Sequence, residues 1–399
     1  MANQFVIAEL PADEFGTEWL GSGNMLDVAR RTGLWDGEGA LNFLRVFGLS
    51  RLHLSPYATR RQWRVFDLAA PSLDLPGDTD EWGSDYPFSV PVDEPFGADR
   101  VKATLRDHYE GTRYDMTRGV ASGPHGDPAR WDLGATHDVG YEHASDAITD
   151  AEANSGLFER SISIFRCAYS FVSQSRGAPG RASGYPAVLW VGQYAPHSSN
   201  YVPVYVEADA VPDELASGSL HEVDAASLYW PNALVGNWIG RFYDVAYPIV
   251  LETLEATAEA TEVARLDAEE RAVRAANAAD KADILGAVAN STAAATHEKW
   301  WALFWDLCAT VKDGYRVEDF HAEKLKPTFL FYPRRWLDEI HFFPEAAPAG
   351  WAAAAPSSAD LVKLGLAFAL GAALSAVLVK RSDAKRDAHD GAGAYGGLN

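Results

Sequence analysis

Apolar positions along the chain change period several times, and the changes divide it into segments. Phe5–Leu10 (FVIAEL) alternates in the manner of a strand, while Met25, Val28 and Ala29 recur at helical spacing, with Gly33 placed as a cap. Ala40–Gly48 is a short apolar helix or strand. Tyr57–Leu73 sets basic residues and Trp63 beside an apolar run, and prolines in Tyr86–Gly97 forbid a central strand there. Ser161–Gln174 alternates strongly and predicts a strand with one polar face. Residues 186–195 and 201–208 read as two further strands, antiparallel to it and to each other. From Leu228 the period becomes helical, through an Ala/Glu/Arg-rich middle at about Leu251 to Ala289 and a second helix, Thr296–Asp313, with one wide aromatic face. Strands followed by helices predict an α+β fold.

One stretch breaks both periods. Leu105–Trp131 packs His108, Glu110, Asp115 and the arginines 106, 113, 118 and 130 among four glycines and two prolines. Neither a helix nor a buried strand holds that mixture, so it predicts a structured loop, the kind of segment where function gathers. An acidic, linker-like stretch follows, from Asp132 to Ser155.

The C-terminal region has another character. An Ala/Pro linker at 346–360 leads into Leu361–Val379, which is apolar except for Lys363. A spanning helix needs about 17–25 such residues, so the segment predicts a transmembrane helix. The tail at 380–399 begins with Lys380, Arg381, Lys385 and Arg386 and turns Gly-rich. Positive charge there predicts a cytoplasmic tail and a lumenal or extracytoplasmic folded domain, residues 1–345. The N-terminus shows no signal peptide. Either the orientation is reversed, as in a tail anchor, or the sequence lacks its beginning. The triplet Asn290-Ser291-Thr292 makes Asn290 a glycosylation candidate on the lumenal side.

Composition narrows the chemistry. A formal net charge of -22 makes nucleic acid a repelled partner. Two cysteines, Cys167 and Cys308, have no zinc-type spacing, and the histidines match no metal framework. The chain has no HExxH, GxSxG, GxGxxG or P-loop, so neither metal nor cofactor is expected. Cys167, within the predicted strand, reads as a core cysteine, although Arg166 beside it is a group that would lower a thiol pKa.

Four segments together carry a resemblance. They are RDHYEGTRYDMTRGVASGPHGDPARW (106–131), ISIFRCAYSFVSQSR (162–176), VLWVGQYAPHSSNYVPVYV (188–206) and SLYWPNALVGNWIGRFY (227–243). In this order, supported by Arg61-Gln62-Trp63 and Pro71-Ser72-Leu73, they resemble the dipeptidase family of cysteine-type N-terminal-nucleophile peptidases, relatives of the secernins. The resemblance runs from about residue 5 to residue 345.

What it implies is a four-layer αββα sandwich that hydrolyses dipeptides. A mature N-terminal cysteine attacks the amide, its own α-amino group serving as base. This sequence departs from that pattern, since residue 1 is Met and the family's opening cysteine is not in the chain. The resemblance therefore places the nucleophile in a missing N-terminal third, and a truncated gene model, a separately processed chain or a genuine loss would each explain it. Of the site, it implies Arg166 near the nucleophile, or else in a structural ion pair, and Asn232 or Asn237 as an oxyanion donor, or else in helix packing. His108, Asp115 and Arg118 are expected to brace the site wall. Two readings follow: a membrane-anchored peptidase taking peptide substrates, or a non-catalytic subunit of a membrane assembly whose sheet is completed by other chains.

Overall fold

The computed structural model describes residues 5–48, 56–79, 83, 85–131, 159–177, 185–317 and 327–343. The chain divides into two compact units, residues 1–339 and 340–399, and every element below belongs to the first. In chain order these are β1 (Glu9–Leu10), α1 (Met25–Arg31), β2 (Leu41–Asn42), α2 (Phe43–Phe47), α3 (Thr59–Ala69), α4 (Ala98–Leu105), β3 (Tyr169–Gln174), β4 (Val188–Gln193), β5 (Val202–Tyr205), α5 (Asp213–Ala216), α6 (Tyr229–Ile239), α7 (Tyr243–Val273), α8 (Ala278–Thr310), β6 (Val311–Lys312), β7 (Tyr315–Val317), β8 (Pro327–Phe329) and α9 (Arg334–Glu339).

The class is α+β, with small antiparallel sheets. β1 pairs β2, β3-β4-β5 form one three-stranded sheet, and β6-β7-β8 form another. In the middle sheet Val172 faces Trp190 across the ladder, and Trp190 faces Pro203. Val172, Val188, Trp190 and Tyr205 turn inward onto Ala268 and Ala272 of α7 and Leu285 and Val288 of α8. Tyr169 and Phe171, alternating with the inward residues, stand exposed on the outer face.

The helical core follows the sequence period. Ala246, Val250 and Leu254 recur every fourth residue on α7, and Trp300, Leu303 and Leu307 do so at three and four on α8. They close on Val235 and Ile239 of α6 as one cluster. Each buried aliphatic side chain there contributes about 1.5–3 kcal/mol. Asn277 starts α8 by accepting the Asp280 amide at 2.9 Å, which places the turn of the α7–α8 hairpin.

Several expectations change. The strand foreseen at Ser161–Gln174 begins only at Tyr169, because Ser161–Ala168 is held by turns, with Ser163 N–H donating to Asp107 O and Cys167 N–H to Ile164 O. Cys167 therefore precedes the strand and is half-buried. Phe5–Leu10 pairs only through Glu9 and Leu10. The helix foreseen at Thr296–Asp313 is the last part of α8 and stops at Thr310, where β6 takes over. The stretch from Leu251 to Ala289 is split by the hairpin turn. Thr59–Ala69, whose basic run gave no clear period, is a helix because its arginines find acids. Arg60 meets Asp78 at 2.8 Å and Glu159 at 2.7 Å, and Arg64 meets Asp67 at 2.7 Å.

Among the described residues no helix is long and apolar enough to cross a membrane. The predicted span Leu361–Val379, the linker at 346–360, the tail and the acidic stretch 132–155 lie outside the described residues.

Candidate functional site

The loop from Leu105 to Trp131 is folded back on itself by its own polar groups. Met116 N–H donates to His108 O, and Asp115 Oδ1 accepts both Thr117 N–H at 2.9 Å and Thr117 Oγ1 at 2.6 Å. Gly119, Gly123 and Gly126 take positive φ, as tight reversals require. Tyr109 also has φ of 69°, and its amide donates to Asp107 Oδ1 at 2.8 Å, which holds that strained residue in place.

The result is a fixed His108. Glu110 Oε2 accepts the His108 amide at 2.6 Å and Oε1 lies 2.8 Å from His108 Nδ1. Burial pushes the Glu110 carboxyl up, but the bonds from His108 outweigh it and hold it below the usual carboxylate range. An ionised Glu110 accepts from a proton-bearing Nδ1, and in the neutral ring that leaves the lone pair on Nε2. That Nε2 is buried and has no hydrogen-bond partner among the described residues.

His108 borders a cavity of about 50 Å³, walled by the loop, by the turns around Ser163 and His197, and by α6. That is room for one or two waters, at about 30 Å³ each. Asp127, Arg160, Tyr194, Asn237 and Tyr243 also line it. His197 meets His108 edge to face, with ring centroids 4.8 Å apart. Complete burial, then the charge His108 carries when protonated and the charge of Arg106, pushes the His197 pKa well below the usual histidine value. Its Nδ1 lies 2.9 Å from Ser163 Oγ, and its amide donates to the same oxygen at 3.2 Å. A serine beside a neutral imidazole is the geometry of an activated hydroxyl. Here the serine also ties the backbone, a brace rather than an exposed nucleophile. Burial also raises Asp127, against the lowering effect of its bond from the Ala129 amide.

The turn carrying His197 is held from two sides. Arg106 donates to Pro196 O and Ser199 O, both at 3.1 Å, and Trp300 Nε1 donates to Ser198 O at 2.7 Å. α6 comes close because a glycine within it and the glycine that follows its last residue have no side chain. A Cβ on Gly236 would stand 2.4 Å from Tyr194 Cε1, and one on Gly240 would stand 2.9 Å from Asp127 Oδ2.

The structure brings two of the sequence-predicted residues, His108 and Asn237, to this cavity. Asn237 Nδ2 donates to Tyr194 Oη at 3.0 Å and to Ala233 O at 2.7 Å. Asn232 is buried in α6, its Nδ2 bonded to Leu228 O at 2.9 Å, and does not line the cavity. Arg166 is exposed, 6.0 Å from the Phe165 ring centroid. Asp115 serves the loop turn, and Arg118, on the same turn, borders a different cleft. Asn290 is exposed in mid-helix, while Thr292 of its sequon is buried with its hydroxyl donating to Val288 O at 2.7 Å. Glu110 was noted in the sequence only among the charges of the loop, and Asp127, Ser163, Tyr194 and His197 were not singled out. For Glu110 a signal existed, since a carboxylate two residues from a histidine in a tight turn reaches both its amide and its ring. His197 sits among small residues with no pattern to mark it.

Neither cysteine has an activated thiol. Burial pushes both Cys167 and Cys308 up, and Cys167 Sγ donates to Tyr169 O at 3.0 Å. Among the described residues no cluster of three or more His, Cys, Asp or Glu stands ready for a metal ion.

A comparison with curated proteins gives no match. The sequence model of peptidase family C69 matches residues 1–256, which takes in the loop, the middle sheet, the His197 turn and α6. On the breadth of that match the chain belongs to peptidase family C69, the dipeptidase family of cysteine peptidases.

Proposed function

We propose that the protein hydrolyses dipeptides as part of an N-terminal-nucleophile hydrolase, with the nucleophilic cysteine supplied by sequence outside this chain. The observation that carries the peptidase reading is the family match over residues 1–256. The site reading is supported by the cavity beside His108, whose one lone pair is oriented by Glu110 and left for a ligand. Within this reading Arg166 and Asn237 remain candidates for the wall around the nucleophile. Asn232, fixed to its own helix, acts through the packing of α6.

The four-layer αββα sandwich belongs to the same proposal. One face of the β3-β4-β5 sheet is covered by α7 and α8, and the other shows Tyr169 and Phe171 to solvent. An outer face of that kind suits a second, nucleophile-bearing sheet packed against it. Membrane anchoring through Leu361–Val379, with the folded part extracytoplasmic, is proposed alongside.

Burial raises the thiols of Cys167 and Cys308, so neither replaces a supplied nucleophile, and a second reading follows where none is supplied. Without a supplied nucleophile the domain is a non-catalytic, dipeptidase-like subunit. N-terminal sequencing of protein purified from its natural source, with an assay of amino-acid release from dipeptides, separates the two. A mature N-terminal cysteine whose alkylation abolishes hydrolysis supports the enzyme. A purified protein that starts at Met1 and releases nothing leaves only the subunit. Recovery in the soluble fraction after ultracentrifugation without detergent would reject the anchor.

A further inference from the structure

A second cleft lies next to the first, on the other side of the His108–Glu110 pair. It encloses about 380 Å³, within the size range of small-molecule sites, and is lined by Glu110, Arg118, Tyr243, Asp244, Tyr247 and Arg335 among others. Arg118 Nε is 3.9 Å from Asp115 Oδ2, and Arg335 Nη2 is 4.0 Å from Asp244 Oδ2. Both distances exceed hydrogen-bond reach, and neither guanidinium donates a hydrogen bond among the described residues. The cleft thus presents two planar forks with their donors available, the geometry that recognises a carboxylate.

The same cleft holds two carboxylates fixed from behind. Glu110 is bonded to His108, and Asp244 Oδ1 lies 3.1 Å from His125 Nδ1. Each oxygen can accept a second bond. Pro248, also in the lining, has no N–H to return to the Asp244 carbonyl one helical turn back, so that carbonyl keeps its acceptor capacity. Tyr243 and Tyr247 stack with centroids 4.6 Å apart and form a flat floor. A purely anionic ligand would meet Glu110 and Asp244, and a purely cationic one would meet Arg118 and Arg335. A ligand carrying both signs satisfies all four.

We propose that this cleft binds a zwitterionic α-amino acid or dipeptide, its carboxylate on Arg118 and Arg335 and its ammonium on Glu110 and Asp244. The choice of ligand rests on the dipeptidase reading, whereas occupancy of the cleft does not depend on turnover. Because Glu110 also holds His108, a ligand here touches the group that orients the first cavity.

The test is calorimetric titration of the chain with Ala-Ala, Ala-Ala amide and N-acetyl-Ala-Ala, run beside an amino-acid release assay. The expected result is that Ala-Ala binds and that either blocked ligand binds at least tenfold more weakly. In Arg118→Gln/Arg335→Gln, Ala-Ala should weaken at least tenfold, to the level of the amide, while Arg118→Lys falls between. Both arginines are largely exposed, and thermal unfolding checks that the variants fold. No binding of Ala-Ala at millimolar concentration, equal binding of the amide, or undiminished binding by the double variant would overturn the cleft assignment even if the protein hydrolyses dipeptides. Arginine-dependent binding without hydrolysis would keep the cleft and remove the enzyme reading alone.

Discussion

Arg64 grips Asp107 through two parallel bonds, Nε to Oδ1 at 2.9 Å and Nη2 to Oδ2 at 2.7 Å, and so ties α3 to the residue preceding His108. Both side chains are buried, and Arg64 Nη2 also donates to Glu110 O at 3.0 Å. One guanidinium thus holds the residue before His108 and the residue two places after it.

Arg64→Ala leaves the Asp107 carboxylate buried without its cation. Breaking a buried pair from one side costs about 3–5 kcal/mol. Urea unfolding should register that loss, and Arg64→Lys should recover only part of it, since an ammonium cannot fork. A loss under about 1 kcal/mol, the worth of an exposed pair, would refute the clamp.

Gly236→Ala sets two effects against each other. Alanine in a helix gains about 0.5–1 kcal/mol over glycine. The new Cβ, however, meets the buried Tyr194 ring at 2.4 Å and Ser198 Oγ at 2.8 Å. Overpacking of that kind costs about 1–3 kcal/mol, so net destabilisation is expected in thermal unfolding. A stabilised variant would mean that α6 does not approach the cavity so closely.

His197 gives the protein a pH dependence of known sign. Its folded pKa is depressed by burial, so the unfolded chain binds the proton more readily. Stability from this group is complete above the ordinary value of about 6.5 and falls as the pH drops below it, by at most about 1.4 kcal/mol per pH unit. Glu110, whose folded pKa is also depressed, contributes stability above about 4.5 that is lost as the pH falls through its folded value, a separate window. Between pH 7.5 and 5.5 the melting temperature of His197→Gln should therefore change less than that of the parent protein. Parallel curves would show that His197 is not buried as a neutral ring.

Two adjacent glutamates on α7 should behave differently. Glu269 is buried, accepts Tyr205 Oη at 3.0 Å and pairs with Arg176 and, at 2.7 Å, Arg265. Glu270 is exposed and, among the described residues, pairs with exposed Arg274. Glu269→Gln is expected to cost about 3–5 kcal/mol and Glu270→Gln less than about 1 kcal/mol, compared by denaturant midpoints. Equal shifts would contradict the buried network beneath the middle sheet.

Strands β4 and β5, the helical character of α6 to α8 (though not the turn between α7 and α8) and the loop at Leu105–Trp131 were legible in the sequence because each depends on local rules. Apolar spacing selects the face, and glycines with Asx-type residues select the turn. The start of β3 was not legible. Ser161–Ala168 alternates like a strand, yet Asp107 O and local turns take its amides. Helix α3 was hidden for the opposite reason. Its buried arginines break the apolar stripe, and they are tolerated only because Asp78, Asp107 and Glu159 come from elsewhere in the chain.

The sequence by itself determined the class of the fold, the kinship with dipeptidases and the place of the charged loop, since period, turn residues and ordered motifs are all local properties. Tertiary structure alone decided what that loop does. It set His197 against His108, 89 positions apart in the chain, left Nε2 of His108 buried without a partner among the described residues, and put Arg118 and Arg335 on the lining of one second cleft. No period in the sequence encodes those distances, because they depend on how separate elements pack and on where a glycine lets them touch.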